Sequence, residues 1–179
     1  MSSEAPQPEG YRATPIGGPR LRSDIVDVYI FRRAPNAIEF LQLLRAGEPL
    51  IHTWQPIMGH VEPGETASQT AVRELKEEVA LAHDSPACLA FWSLEQVHPY
   101  YVAAIDCIVL SPRFAVEVAP GWEPRINAEH TAARWVSDSG SFMWPGQKKS
   151  IEEINAEIVN PRSLSRTALL IRMDQPPRK

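Results

Sequence analysis

Apolar residues follow two different spacings along this chain, and each spacing predicts a different kind of element. Residues 24–32 are rich in Ile, Val, Tyr and Phe, which is typical of a buried strand. Val72, Leu75 and Val79 instead recur at i, i+3 and i+7, so they share one face of a helix. A capping-box pair at residues 66 and 69 predicts that this helix begins at about residue 66 and reaches at least Val79.

The remaining pattern predicts more strands and a second helix. Further strands are predicted, in chain order, over residues 38–45, 54–61, 87–96, 100–110, 132–136 and 168–171, although the leucines of the first also fit a helix. Residues 111–128 carry several prolines, so we expect a long irregular connection there, with room for a short strand over 115–118. Ile151, Ile154 and Ile158 predict a second amphipathic helix over about 146–159. The predicted order is several strands, one helix, more strands and then a second helix. This order predicts an α/β sandwich, with a mixed β-sheet between helices.

Composition and charge narrow the class of protein. With 179 residues, 44% apolar and 22% charged, the chain fits one globular domain. We expect that domain over residues 23–160, with an extended proline-rich arm over 1–22 and a basic tail over 161–179. The net charge of −4 argues against a general nucleic-acid-binding surface, and no apolar run approaches membrane-spanning length. Two cysteines without a metal or disulfide pattern suit a reducing cytoplasm. The arm could reach a partner subunit, so a homodimer is possible.

The first predicted helix carries an unusual cluster of charge. Glu74, Glu77 and Glu78 lie at i, i+3 and i+4, on a different face from the apolar residues. Like charges at this spacing destabilise an isolated helix. A divalent cation such as Mg²⁺ or Mn²⁺ would remove that repulsion, and it also binds phosphate oxygens. Taken alone, the three glutamates favour a solvated acidic face over a metal site.

The wider spacing favours the metal site. Residues 59–81 resemble the Nudix box, Gly-x5-Glu-x7-Arg-Glu-U-x-Glu-Glu-x-Gly-U, where U is a bulky aliphatic residue. Every fixed position is filled except the second glycine, which is Ala80. Because alanine adopts the left-handed helix-ending conformation poorly, we expect the helix to run slightly further, towards residues 84–86. The resemblance to Nudix hydrolases implies a Nudix-type α/β/α sandwich and a divalent metal, and it implies that water attacks a phosphorus atom.

The resemblance also implies roles for individual residues. By position in the box, metal ligands would be Gly59, through its carbonyl oxygen, and Glu74, Glu77 and Glu78. Glu65 and Arg73 would brace the loop against the helix. Beyond the box, Glu129 lies where many members of the family complete the site with an acidic residue. It could be a further ligand or the general base, and a solvated loop glutamate is an equal alternative. The base would be Glu74 or Glu129.

Aromatic residues suggest where the rest of a substrate would bind. Trp54-Gln55 and residues 143–147 (MWPGQ) resemble the subgroup of Nudix hydrolases that contains dihydroneopterin triphosphate pyrophosphatase. The rings of Trp54 and Trp144 could stack on a pterin or purine, and Gln55 could bind a polar ring edge. The alternative is that both tryptophans are core residues. The five histidines show no spacing that suits zinc, so we expect surface or loop positions for them.

Together these features predict a metal-dependent pyrophosphohydrolase that acts on a small-molecule phosphoanhydride. The favoured substrates are a pterin triphosphate or a purine nucleoside triphosphate such as dATP, cleaved to a monophosphate and pyrophosphate. Nucleotide sugars and dinucleoside polyphosphates are alternatives. A Nudix-like module that binds a nucleotide without cleaving it is a further alternative, against which three mutually repelling carboxylates argue.

Overall fold

The computed structural model describes residues 17–142 and 144–172. Its strands are β1 Arg20–Arg22, β2 Ile25–Arg33, β3 Ile38–Arg45, β4 Trp54–Gln55, β5 Ile57–His60, β6 Cys88–Ser93, β7 Tyr100–Val102, β8 Cys107–Val109, β9 Arg113–Val118 and β10 His130–Val136. Its helices are α1 Ala67–Val79, α2 Pro145–Glu153, which continues as a π-helical turn over Ile154–Val159, and α3 Ser165–Ala168. Most of the predicted arm, the Met143 of the second aromatic motif and the end of the basic tail lie outside the described residues.

A mixed sheet in the order β10-β3-β2-β9-β6 forms the middle layer, with β4 paired to β3 and β5 paired to β2. Side chains of β2 alternate between its two faces. Val26, Val28 and Ile30 pack in the core with Leu75 of α1. Tyr29 and Phe31 belong to the opposite core, together with Ile151 and Ile154 of the α2 layer. The predicted α/β/α sandwich is therefore confirmed.

Helix α1 begins and ends through local interactions. The Thr66 hydroxyl accepts a hydrogen bond from the Gln69 N–H, and the Gln69 side chain accepts one from the Thr66 N–H, so the predicted capping box is present. The expectation that the helix would extend towards residue 84 was wrong. Ala80 adopts the left-handed conformation at φ 56°, and its N–H donates to the Leu75 carbonyl, which ends the helix at Val79.

Three other expectations were wrong in part. The short strand expected over 115–118 is present, but it begins at Arg113 and is β9, a fully buried interior strand that pairs parallel to β2 and antiparallel to β6. The single strand predicted over 100–110 is interrupted by a 3₁₀ turn at Ala103–Ile105 and pairs with β1 in a small separate sheet. Residues 165–168 are helical, and within the described residues 169–172 only Leu170 forms a β-bridge, with Trp92. In the described part of the chain, no helix is both long and apolar enough to cross a membrane.

Candidate functional site

The site forms where α1 packs against β5, because one position of β5 has no side chain. A Cβ atom on Gly59 would overlap the Glu74 carboxyl group. Glycine at this position therefore lets the Glu74 carboxyl group lie directly against the strand backbone. Gly59 is held in register by pairing with Val26 of the central strand β2. The glycine and the first glutamate of the box are thus brought into contact by the packing of helix on sheet.

Glu74 and Glu78 are buried, whereas Glu77 is exposed. The i, i+4 spacing of Glu74 and Glu78 places both on the sheet side of α1, where they are 8% and 2% exposed. Burial raises the pKa of the Glu74 carboxyl. Burial, together with the negative charges of Glu74 and Glu129, raises the pKa of Glu78 to about 9. Burial disfavours the ionised form of both Glu74 and Glu78. We therefore expect that both carboxyl groups ionise together only when a positive charge lies beside them.

Arg73 links the box loop to the helix. Its Nε donates to Glu65 Oε1 at 3.0 Å, and its Nη2 donates to the His60 carbonyl at 2.7 Å. This confirms the predicted pairing of Arg73 with Glu65. Because it donates hydrogen bonds to Glu65, Arg73 lowers the pKa of that carboxyl to about 2. The Nη1 group donates to Glu74 at 2.7 Å and to Glu77 at 3.2 Å, so Arg73 already neutralises part of the acidic cluster.

Glu129 lies on the loop before β10, which is tied to the end of α1. The Asn127 N–H donates to the Glu78 carbonyl at 3.1 Å. The charge of Glu129 contributes to the raised pKa of both Glu74 and Glu78. The Glu129 side chain is 58% exposed and lies 3.7 Å from Arg45 Nη1. It is therefore the solvent-facing carboxylate of the group.

His130 also lies in this site, which the sequence did not predict. It is buried, contrary to the expectation of a surface or loop position, and burial lowers its pKa. Its Nε2 atom lies 3.7 Å from Glu78 Oε2. A β-bulge between His130 and Ala132 accompanies this placement, and the residues themselves give no signal for such an irregularity.

The carboxyl groups fit a divalent cation chemically, although they are not gathered around one point. Across residues 17–142 and 144–172, no three side chains from His, Cys, Asp and Glu are grouped closely enough to hold a metal ion. Glu77 is exposed and pairs with Arg73 at 3.2 Å. Glu78 Oε2 is buried without a hydrogen-bond partner, and Glu74 is buried beside it. Carboxylate oxygens are hard ligands that suit Mg²⁺ or Mn²⁺, and the Glu78 oxygen without a hydrogen-bond partner is available to bind such an ion.

The predicted aromatic site is divided between the two faces of the sheet. Trp54 and Gln55 are neighbours on a strand, so their side chains point in opposite directions. The guanidinium of Arg134 lies 4.1 Å from the centre of the Trp54 ring and covers one face of it. Gln42 accepts a hydrogen bond from Arg134 Nε at 2.8 Å and fixes that stack. Trp54 and Gln55 therefore do not present their side chains to the same face of one ring system.

The other two members of that predicted site differ in exposure. Gln55 is buried, and its Oε1 atom has no hydrogen-bond partner among the described residues. Trp144 is 47% exposed at the N-terminus of α2, so the core alternative was wrong for this residue. Its backbone N–H donates to Gln147 Oε1 at 3.4 Å. An exposed indole at a helix start leaves a ring face open for stacking.

A second buried charge pair lies on the α2 face of the sheet. Arg113 Nε is 3.3 Å from Asp27 Oδ2, and both side chains are almost fully buried. Arg113 Nη1 donates to the Gly146 carbonyl and to Ser150 Oγ, each at 2.9 Å, so the pair supports the start of α2. Burial outweighs the nearby Arg113 charge and raises the pKa of Asp27 to about 6. An aspartate inside an otherwise apolar strand was the available signal for this pair; nothing in the sequence pointed to Arg113.

Comparison with known proteins gives consistent results. Residues 22–153 match the family described as NUDIX domain. The chain is 34% identical over 119 residues to a bis(5'-nucleosyl)-tetraphosphatase [asymmetrical] of Sus scrofa, which covers 56% of this chain and 65% of that protein. It is 41% identical over 56 residues to the dihydroneopterin triphosphate diphosphatase of Escherichia coli K12, which covers 31% of this chain and 36% of that protein. The chain thus spans less than two thirds of the length of these relatives.

A solved structure shows the same fold. The crystal structure of a C. elegans Ap4A hydrolase binary complex superposes with a TM-score of 0.63 at 21% sequence identity. The match covers 75% of this chain and 96% of the C. elegans chain. At this identity the likeness concerns the arrangement of strands and helices. It supports the sandwich described above and places the box helix in a known architecture.

Proposed function

This chain belongs to the Nudix family, and on that premise we propose that it is a metal-dependent hydrolase of phosphoric anhydrides in small molecules. The observation that carries the proposal is the buried pair Glu74 and Glu78, which lies against the side-chain-free Gly59. A protein selected only for stability gains nothing from two adjacent buried carboxyl groups. A protein that binds a cation and a polyphosphate needs such groups.

The residues that would hold the cation are Glu74 and Glu78, with the Gly59 carbonyl. Glu77 would join them if its side chain turned away from Arg73, with which it now pairs at 3.2 Å. When bound, Mg²⁺ or Mn²⁺ would offset phosphate charge and lower the pKa of a coordinated water. The metal would thus supply the positive charge that the buried carboxyl groups lack.

Two other side chains have proposed roles in positioning and proton transfer. Arg73 fixes the rotamer of Glu74 through the 2.7 Å hydrogen bond, while its contacts with Glu65 and the His60 carbonyl hold the loop in place. Glu129 is the proposed general base. Its carboxylate is solvent-facing and close to Glu74 and Glu78, so it can accept the proton of the attacking water and release it to solvent. Glu74 is less suited to this role because Arg73 already occupies one of its oxygens.

For the substrate, we place dinucleoside polyphosphates first. The similarity to the Sus scrofa bis(5'-nucleosyl)-tetraphosphatase extends over 119 residues, whereas the similarity to the E. coli dihydroneopterin triphosphate diphosphatase extends over 56. The exposed ring of Trp144 is available to stack on a base. Pterin triphosphate and dATP are the second choice, with a monophosphate and pyrophosphate as products.

A substrate panel tests the proposal. The full chain would be incubated with Mg²⁺ or Mn²⁺ and with a dinucleoside tetraphosphate, dihydroneopterin triphosphate, dATP and a nucleotide sugar, and the products would be separated by chromatography. We expect cleavage of at least one substrate, and we expect Glu78→Gln to lower its rate by orders of magnitude. Glu152→Gln, which removes an exposed carboxylate from α2, should leave the rate unchanged.

Two results would argue against this function. Binding of a nucleotide without cleavage of any member of the panel would favour the non-catalytic module. Cleavage that survives Glu78→Gln at a near-parent rate would show that the buried carboxyl pair is not the site of hydrolysis.

A further inference from the structure

Two buried polar atoms of the site face each other without a hydrogen bond. His130 Nε2 and Glu78 Oε2 are 3.7 Å apart, and neither has a hydrogen-bond partner among the described residues. Both side chains are almost fully buried. A buried acceptor or donor left unpaired destabilises the fold, so such a pair needs an explanation.

The separation indicates what could lie between these atoms. It is too long for a direct hydrogen bond. A water molecule that bridged them at about 2.8 Å from each would hold them at a narrow angle of about 80°, which suits water poorly. Zinc binds imidazole nitrogen at about 2.0–2.1 Å and carboxylate oxygen at about 2.0–2.2 Å, and one ion with bonds of this length would contact both atoms at a nitrogen–ion–oxygen angle of about 125°.

The fold directs His130 towards Glu78 rather than to the solvent. His130 is the first residue of β10, where it pairs with Arg45 of β3. The strand register shifts between His130 and Ala132, and such a bulge re-aims the side chain next to it. The loop that precedes it is tied to α1 through the Asn127 N–H and the Glu78 carbonyl. The backbone therefore holds the imidazole and the carboxyl group beside each other.

We propose that His130 is a nitrogen ligand of the metal site, which binds the ion together with Glu78. The inference rests on the proposed function, since it places the imidazole on the same cation. An imidazole ligand beside a carboxylate favours Mn²⁺ and Co²⁺ over Mg²⁺ more strongly than oxygen ligands alone do. The chain would therefore be selective for transition metals among the divalent cations.

Pulsed EPR on the full chain loaded with Mn²⁺ tests this directly. A directly bound imidazole nitrogen gives ¹⁴N modulation of the Mn²⁺ signal, which a purely structural histidine would not give. The parent protein should show this modulation, and His130→Gln should lose it. His83→Asn removes an exposed imidazole beyond the end of α1 and should keep the modulation.

Titration with Co²⁺ and Mg²⁺ gives a second readout that does not depend on hydrolysis. His130→Gln supplies an amide oxygen and a donor of similar reach, so we expect Mg²⁺ affinity to change little. The Co²⁺ affinity should fall roughly tenfold or more, the scale on which partners of a metal site act. A Co²⁺ to Mg²⁺ affinity ratio that is the same in the parent and in His130→Gln would contradict the inference.

The outcomes separate this inference from the function on which it rests. Mn²⁺ bound with Glu78-dependent affinity but without ¹⁴N modulation would overturn the role of His130 and leave the hydrolase proposal intact. Nitrogen modulation in a protein that cleaves no substrate of the panel would support the ligand and overturn the hydrolase. If no Mn²⁺ bound to the parent protein, both would be wrong.

Discussion

The two faces of the central sheet each bury carboxyl groups, but they neutralise them differently. On the α2 face, Asp27 is paired with Arg113, whose other contacts hold the first turn of α2. On the α1 face, Glu74 receives one hydrogen bond from Arg73, and Glu78 Oε2 has no partner among the described residues. Asp27 is therefore paired with a cation of the chain, whereas the buried Glu78 carboxyl group has no Lys or Arg partner among the described residues.

This difference separates a structural ion pair from a binding site. A buried pair with its cation in the chain fixes an orientation and needs nothing from solution. Buried carboxyl groups without a matching cation gain free energy when a cation binds. Burial of charge alone does not mark a functional site. A buried carboxyl group that lacks a counter-charge marks such a site, and variants on the two faces can test for that lack.

The largest expected loss of stability comes from Arg113→Met. This change leaves Asp27 buried without its cation, and we expect the free energy of unfolding to fall by about 3–5 kcal/mol. Denaturant unfolding of the variant measures the loss. Arg33→Met is the matched control, because the Arg33–Glu117 pair is partly exposed and should contribute about 1 kcal/mol or less. Equal losses in the two variants would contradict the structural role of the buried pair.

The pH dependence of stability should report on the buried carboxyl group of the α2 face. The pKa of Asp27 is raised to about 6 in the folded protein from an ordinary value of 3.8. The folded state therefore binds the proton more tightly than the unfolded state, so stability falls as pH rises from about 4 to about 6 and this contribution is constant above that. The change corresponds to about 3 kcal/mol.

The pKa values of Glu74 and Glu78 are also raised, so these groups contribute to the pH dependence with the same sign. Asp27→Asn isolates the contribution of Asp27. The unfolding free energy of the variant, measured by urea at several pH values, should decline less between pH 4 and 6 than that of the parent. Parallel curves for the two proteins would show that Asp27 does not titrate in this range.

Arg73→Ala should weaken activity and stability together. The variant loses the contacts of Arg73 with Glu65, the His60 carbonyl and Glu74, so both the loop and the carboxyl pair lose support. We expect the rate of hydrolysis to fall by about 10- to 100-fold, the cost of a misplaced catalytic group, and the melting temperature to fall. Arg22→Ala, which breaks an exposed pair with Asp24, is the control. Thermal stability equal to that of the parent would count against a bracing role for Arg73.

The smallest effect is expected at the end of α1. Ala80 occupies the left-handed region at φ 56°, where alanine is strained and glycine is not. Ala80→Gly should raise the free energy of unfolding by about 0.5–1 kcal/mol and leave metal affinity unchanged. Calorimetry measures the first quantity and Mn²⁺ titration the second. A less stable Ala80→Gly variant would show that the alanine methyl group contributes packing that outweighs the strain.

Local sequence signals predicted the parts of the fold that depend on neighbouring residues. The Thr66–Gln69 capping box and the spacing of Val72, Leu75 and Val79 were sufficient for α1, because hydrogen bonds and helical periodicity act within a few residues. The link between Arg73 and Glu65 was also predictable from the box. The same reasoning failed at Ala80, because tertiary structure ends the helix there and overrides the conformational preference of alanine.

Long-range features were not predictable. Strand β9 was expected only as a short strand over 115–118 within an irregular connection, because prolines surround it, yet pairing with β2 and β6 makes it an interior strand of the sheet. His130 was expected at a surface or loop position. The bulge that turns its side chain inward depends on the register of β10 with β3, which the sequence does not reveal. Trp54 and Gln55 were assigned to one binding surface, but a strand sends neighbouring side chains to opposite faces. Each of these depends on partners that lie far away in sequence.

The most direct test of the missing counter-charge is the melting temperature of the parent and of Glu78→Gln, with and without Mg²⁺. Without metal, Glu78→Gln should be as stable as the parent or slightly more stable, because the variant removes a carboxyl group that burial and the charges of Glu74 and Glu129 disfavour as an anion. With Mg²⁺ at about 100 times its dissociation constant, the parent should gain about 2.7 kcal/mol and become the more stable protein. An identical Mg²⁺-induced shift in both proteins would contradict the account.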